Sequence, residues 1–128
     1  MSAGLEGGRL STHVLDTAKG TPAAGVRLRL YWHGEAGEQA RVLLVETVTN
    51  ADGRTDAPLL PAAGHDLQRG EYELEFEVGP YFAARSARTA DPPFLGTVPV
   101  RFAVADPAGK YHVPLLISPW AYSTYRGS

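Results

Sequence analysis

A two-sheet antiparallel β-sandwich of about eight short strands with one short helix is the fold this sequence predicts. Short runs of β-branched, Leu and aromatic residues recur from Leu10 onward. Clusters of Gly, Pro, Asp and Asn separate them at fairly regular intervals, and a single stretch favours a helix. The 128 residues fit one domain, and 44% hydrophobic residues suffice for a core at that size. Residues 1–9 read as a loose glycine-rich tail with little to bury, and residues 10–128 as the sandwich.

The first strand runs from Leu10 to Leu15 and is closed by the turn formers of Asp16-Thr-Ala-Lys-Gly-Thr-Pro22. In the next run Val26, Leu28, Leu30 and Trp32 share one face while Arg27 and Arg29 take the other, as a half-buried strand requires. Gly34 to Gln39 reads as a hairpin loop, followed by a strand from Arg41 to Val48. Asn50 and Asp52-Gly53 mark a tight reversal before a short strand near Thr55, which puts Arg54 at a turn-to-strand boundary. Residues 58–70, with two prolines and two glycines, read as a loop. Glu71 to Val78 alternates: Tyr72, Leu74, Phe76 and Val78 face the core, and four glutamates face water. The Ala- and Arg-rich stretch Tyr81 to Arg88 is the helix candidate, and Asp91-Pro-Pro93 breaks the pattern. Strands over Thr97–Ala105 and Lys110–Ser118 flank the Asp106-Pro-Ala-Gly109 turn, and a last strand spans Ala121–Arg126.

Composition narrows the function. Twelve Lys and Arg against fourteen Asp and Glu give a net charge of −2, which offers no basic field for a nucleic-acid backbone. Without cysteine there is no disulfide, no thiolate nucleophile and no Cys-based zinc site. No apolar run reaches the ~20 residues that span a bilayer, and the first residues lack a signal-peptide pattern, so the expectation is a cytoplasmic protein. The terminal Arg-Gly-Ser is not the Ser-Lys-Leu peroxisomal address, although an internal or unusual signal stays open.

The chemistry concentrates in two strands. Lys110 to Ser118 carries Tyr111, Val113, Leu115 and Ile117 on one face, but Pro114 and Leu116 make the other face apolar too, beside His112. A strand apolar on both faces calls for a second cover, and in so short a chain another subunit is the simplest one. Pro114 runs against this, since a proline belongs at a sheet edge or a bulge. His13 lies opposite Leu10, Thr12 and Val14 on its own strand, so both histidines point away from the core. Two imidazoles facing one cleft suit hydrolysis by an activated water; the commoner role of a strand histidine is a partly buried group with one hydrogen bond. His33 and His65 fall in loops near glycines and read as solvated. Neither His-x-His nor His-Glu-x-x-His spacing occurs, so no metal site is expected. Arg54 can hold a planar anion or an oxyanion, its ordinary alternative being a surface pair with Asp52 or Asp56. Ser123, Thr124 and Ser128 offer hydroxyls, but neither a Gly-x-Ser-x-Gly elbow nor a phosphate loop is present.

Four segments together resemble the transthyretin-like family in its 5-hydroxyisourate hydrolase branch. They are Leu10-Ser-Thr-His-Val-Leu-Asp16 with Gly20-Thr-Pro-Ala23, Thr49-Asn-Ala-Asp-Gly-Arg54, Tyr111-His-Val-Pro-Leu-Leu116 and Tyr122-Ser-Thr-Tyr-Arg-Gly-Ser128. The likeness covers Leu10 to Ser128, and the Tyr-Arg-Gly-Ser ending is its specific part, separating hydrolases from hormone-carrying transthyretins. It implies a homotetramer with active sites in a channel where dimers meet. It also implies ring opening of 5-hydroxyisourate to 2-oxo-4-hydroxy-4-carboxy-5-ureidoimidazoline in purine catabolism, with water as co-substrate and no metal or cofactor. By motif, it implies His13, Arg54 and His112 as the catalytic residues, with Tyr125, Arg126, Gly127 and Ser128 lining the same site and binding substrate. In those roles His112 or His13 takes the proton of the attacking water, while Arg54 holds the anionic substrate and the charge growing on its carbonyl oxygen.

The chain departs from the family twice. Lys110 stands where His is usual, and Phe94-Leu-Gly-Thr-Val-Pro99 replaces the usual Phe-Phe-Pro run. Gly20-Thr-Pro-Ala-Ala-Gly-Val26 and Gly70-Glu-Tyr-Glu-Leu74 also resemble non-catalytic prealbumin-like modules, whose turns need only Gly, Pro and Asp. A scaffold would not require His13, Arg54, His112 and the Tyr-Arg-Gly-Ser ending together. A carrier of a small aromatic ligand would favour apolar channel walls over these polar groups.

Overall fold

The computed structural model describes residues 7–85 and 90–127. Its strands are β1 (Arg9–Asp16), β2 (Thr21–Pro22), β3 (Arg27–Gly34), β4 (Val42–Val48), β5 (Gly70–Glu77), β6 (Thr97–Val104), β7 (Lys110–Ile117) and β8 (Tyr122–Thr124), with one helix, α1 (Val78–Ala83), after β5. They form two four-stranded sheets, β2-β1-β7-β8 and β4-β3-β5-β6. The core between the sheets takes alternate residues from both, among them Leu10 and Val14, Leu28 and Leu30, Leu74 and Phe76, and Leu115 and Ile117, all fully buried. Each such side chain contributes about 1.5–3 kcal/mol through burial. Thus the alternation predicted for β1, β3, β5 and β7 is the one observed.

Several expectations change. Most pairs are antiparallel, but β1 and β7 run parallel along their whole length, from Arg9 opposite Lys110 to Asp16 opposite Ile117. The strand expected near Thr55 is only an isolated bridge between Arg54 and His13, while β2 forms from residues read as a turn. Gly8 and Arg9, read as tail, are tied down: Gly8 N–H donates to Pro107 C=O at 2.9 Å and Arg9 N–H to Gly109 C=O at 3.0 Å. The helix begins three residues before the Tyr81 start, and residues 86–88 of the predicted span lie outside the described residues. Packing decides it, because Val78, Gly79, Tyr81 and Phe82 are buried and Pro80 is tolerated in the first turn. There the Tyr81 hydroxyl donates to Asp16 Oδ2 at 2.8 Å, and burial followed by Asp16 pushes the phenol up to about 12.

His33 is not a solvated loop group. It lies next to the end of β3, is 8% exposed, and its Nε2 meets Glu73 Oε1 at 2.7 Å. The β3–β5 register shifts between Trp32 and Gly34, and this bulge seats His33 against Glu73. The other glutamates of β5 are also laced by cations: Arg29 bonds Glu77, Arg41 bonds Glu75 at 2.6 Å and Arg101 bonds Glu71 at 3.0 Å. His65 is exposed, as expected.

Pro114 sits in β7, an interior strand, yet costs no ladder bond. Pairing with β8 ends at Leu115 opposite Thr124, whose hydroxyl donates to Pro114 C=O at 2.7 Å. It resumes only at Gly127 N–H, which donates to His112 C=O at 2.7 Å. The missing donor therefore faces a gap in the ladder.

Candidate active site

The parallel β1–β7 pairing builds the site. It sets Ser11 directly beside His112 and His13 beside Pro114, so the outward residues of β1 share a face with those of β7. Ser11 Oγ and His112 Nδ1 are hydrogen-bonded at 2.8 Å, which leaves Nε2 of His112 for the cleft. Serine can donate to a neutral imidazole carrying Nε2–H, or accept from Nδ1–H when Nε2 is the free base.

Arg54 arrives by turn chemistry. Asn50 Oδ1 accepts from Asp52 N–H at 2.9 Å and from Arg54 N–H at 3.2 Å, while Asn50 N–H donates to Arg54 C=O at 2.7 Å. Gly53, buried with φ of +75°, passes so close to the Val14 carbonyl that a Cβ has no room. Val14 N–H donates to Gly53 C=O at 2.8 Å, and the His13–Arg54 bridge completes the junction. His13 Nε2–H donates to the Asp52 carbonyl at 2.9 Å, so this imidazole braces the same turn. Among the described residues Arg54 has no carboxylate within 4.0 Å, and neither Asp52 nor Asp56 takes the pairing role.

A cleft of about 390 Å³ is lined by Arg9, Ser11, Arg54, Lys110, Tyr111 and His112. A second hollow of about 210 Å³ shares Ser11 and Arg54 with it and continues over Thr55 to Pro58. Burial, then the Arg54 guanidinium and then His13, lower the His112 pKa from its ordinary value. At neutral pH this imidazole is therefore held unprotonated next to a fixed cation.

The structure brings Arg54 and His112 onto one cleft and places His13 at its supporting turn. It separates the C-terminal residues. Gly127 packs on His112, where an added Cβ would lie 2.8 Å from Cδ2 of the ring. Arg126 instead lays its guanidinium 4.2 Å from the centre of the Tyr111 ring and donates to Lys110 C=O at 3.3 Å. Tyr125 and Arg126 line a different hollow with Phe102, Val113 and Thr124. Within the single chain these two thus stand apart from the cleft of Arg54 and His112, because the segment leaves the ladder after Thr124 and returns only at Gly127. Ser128 lies outside the described residues. Ser11 and Arg9 went unread as site residues, although both alternate onto the face of His13. No group of three or more His, Cys, Asp or Glu converges to hold a metal among the described residues.

The class is a prealbumin-type sandwich whose outer sheet face gathers an imidazole, a serine and a guanidinium with no carboxylate partner among the described residues around one cleft. Comparison places it further. The profile of the HIUase/Transthyretin family matches residues 10–127, and the chain belongs to that family. It is 55% identical over 119 residues to the 5-hydroxyisourate hydrolase of Deinococcus radiodurans, covering 93% of this chain and 95% of that protein. A crystal structure of (S)-allantoin synthase superposes with a TM-score of 0.87 at 44% identity, over 95% of this chain and 44% of that one. The structure of Klebsiella pneumoniae 5-hydroxyisourate hydrolase gives 0.74 at 36% identity, covering 94% of each chain.

Proposed function

We propose that this protein is a cyclic amide hydrolase that opens the ring of 5-hydroxyisourate in urate catabolism. The observation that carries this reading is His112, held neutral by burial and by Arg54 on the wall of a cleft that also presents Arg54. The names of full-length relatives support the substrate. A carrier role is disfavoured because Arg9, Arg54, Lys110, Ser11 and His112 put cations and hydrogen-bonding groups on the cleft wall.

In the proposed reaction a water gives its proton to Nε2 of His112 as its oxygen adds to a ring carbonyl. Arg54 then bears the charge that gathers on the carbonyl oxygen. Collapse breaks the ring C–N bond, and the proton on His112 passes to the departing nitrogen, leaving a carboxyl group and a regenerated base. General acid–base assistance supplies about 10²–10⁴-fold and one charge-stabilising donor about 10²–10³-fold. The product is 2-oxo-4-hydroxy-4-carboxy-5-ureidoimidazoline, and no metal or cofactor enters the scheme. His13 braces the Asp52–Arg54 turn. Gly127 backs the imidazole, and Tyr125, Arg126 and Ser128 are assigned to substrate binding by motif alone.

The assembly belongs to the same proposal. Leu15 and Leu116 lie half-buried on the outer face beside Ser11, His13 and His112, which supports a homotetramer whose copies cover that face. A cytoplasmic location is part of the same proposal. The test is the ultraviolet decay of 5-hydroxyisourate, generated by urate oxidase, with the parent and with His112→Asn, both checked by light scattering. Fast decay with the parent and a loss of about 10²–10⁴-fold in an intact variant is expected. A well-folded parent without acceleration overturns the hydrolase reading.

A further inference from the structure

Arg9 and Lys110 stand directly opposite each other at the start of the β1–β7 ladder, and both line the cleft with Arg54. Like charges facing across a ladder are destabilising, and no carboxylate among the described residues offsets these. Among the described residues none lies within 4.0 Å of Arg9, Arg54 or Lys110. Most other cations among the described residues are neutralised or stacked, Lys19 and Arg69 excepted. Arg29, Arg41 and Arg101 are paired with glutamates, and Arg85 and Arg126 lie on tyrosine rings. A chain of net charge −2 thus collects around one cleft three cations that no carboxylate among the described residues compensates.

We propose that Arg9 and Lys110 form a second anion-recognition element of this cleft, which captures a monoanionic purine-type ring by the end remote from the reacting carbonyl. This rests on the hydrolase reading for the identity of the substrate. The spacing fits. Arg9 and Lys110 are each two residues along their strands from Ser11 and His112, a step of about 6–7 Å. That matches the length of a fused two-ring system with one end at His112 and Arg54. A locally positive cleft in a negative molecule also raises the encounter rate of an anion, by about 10- to 10³-fold in favourable cases. Lys110 gives this chain a permanent charge at that rim.

The test compares the parent with Arg9→Gln/Lys110→Gln and with the charge-preserving Arg9→Lys/Lys110→Arg. Steady-state rates are measured from low salt to about 0.5 M, a range over which screening shortens severalfold in length. The binding of urate monoanion, a non-hydrolysed probe, is measured by calorimetry over the same range. For the Gln variant the expected result is a KM raised about tenfold at low salt with kcat within about twofold. Its salt dependence should be flattened and its urate binding weakened about tenfold, with the charge-preserving variant close to the parent. Urate binding and KM that are unchanged in the Gln variant overturn the proposal while leaving the hydrolase reading intact. Absent turnover with salt-sensitive, Arg9- and Lys110-dependent urate binding overturns the hydrolase reading and supports the anion site. A Gln variant that loses kcat as steeply as it gains KM refutes a pure capture role.

Discussion

Replacing Ser11 by alanine removes the hydroxyl bonded to His112 Nδ1 at 2.8 Å and little else, because Ser11 is half-buried and the β1–β7 ladder is made by backbone groups. A hydrogen bond of this kind is worth about 0.5–1.5 kcal/mol net. Gly127 still backs the ring on one side, so the imidazole loses its orientation without leaving the cleft. If that energy is felt in the transition state, kcat falls about two- to twelvefold, well short of the ~10²–10⁴-fold expected for removing the base itself. The assay is initial-rate decay of 5-hydroxyisourate, with heteronuclear NMR of the imidazole nitrogens to follow the tautomer and pKa of His112. Ser11→Thr retains a hydroxyl and should recover most of the rate. A kcat unchanged in Ser11→Ala, or a loss that Ser11→Thr does not rescue while the imidazole resonances stay put, would refute a positioning role for this serine.

The pH dependence follows from His112 and Tyr81. Because the His112 pKa is lowered, the free base should persist below pH 6.5, and the acid limb of kcat/KM should fall below that value. Arg54→Gln removes the second cause of the shift and should move the limb to higher pH, short of 6.5 because burial remains, with NMR titration of the ring as the check. In stability the sign is the same: the folded state binds fewer protons at this site, so its contribution is full above 6.5 and is lost as pH falls through the folded value. Tyr81 has the opposite sense. Its folded pKa is raised from 10.0 to about 12, so the stability it brings is present below 10.0 and disappears as pH climbs toward 12. Denaturant titrations of Tyr81→Phe should show a loss of about 1–3 kcal/mol at neutral pH, from the Asp16 oxygen left without its donor, and a shallower alkaline decline. An unchanged alkaline decline would remove Tyr81 as its source.

Local rules reached far in this chain. The alternation of Tyr72, Leu74 and Phe76 against glutamates, and of Tyr111, Val113, Leu115 and Ile117 in β7, is visible because a strand's period of two depends only on the residues within it. The Asp52-Gly53 reversal is equally local, since its φ of +75° favours glycine whatever packs against it. His13, Arg54 and His112 were therefore placeable on a turn and on outward faces. Their meeting was not. Ser11 bonds an imidazole 101 residues away because β1 and β7 lie parallel, a choice made by the free energy of both sheets closing on one core. The bulge that buries His33, the start of α1 at Val78 and the turning of Arg126 onto Tyr111 have the same origin, each depending on neighbours remote in sequence. Side-chain period and turn chemistry are properties of a segment, whereas strand partners, and with them the composition of the cleft, are properties of the whole chain packed at once.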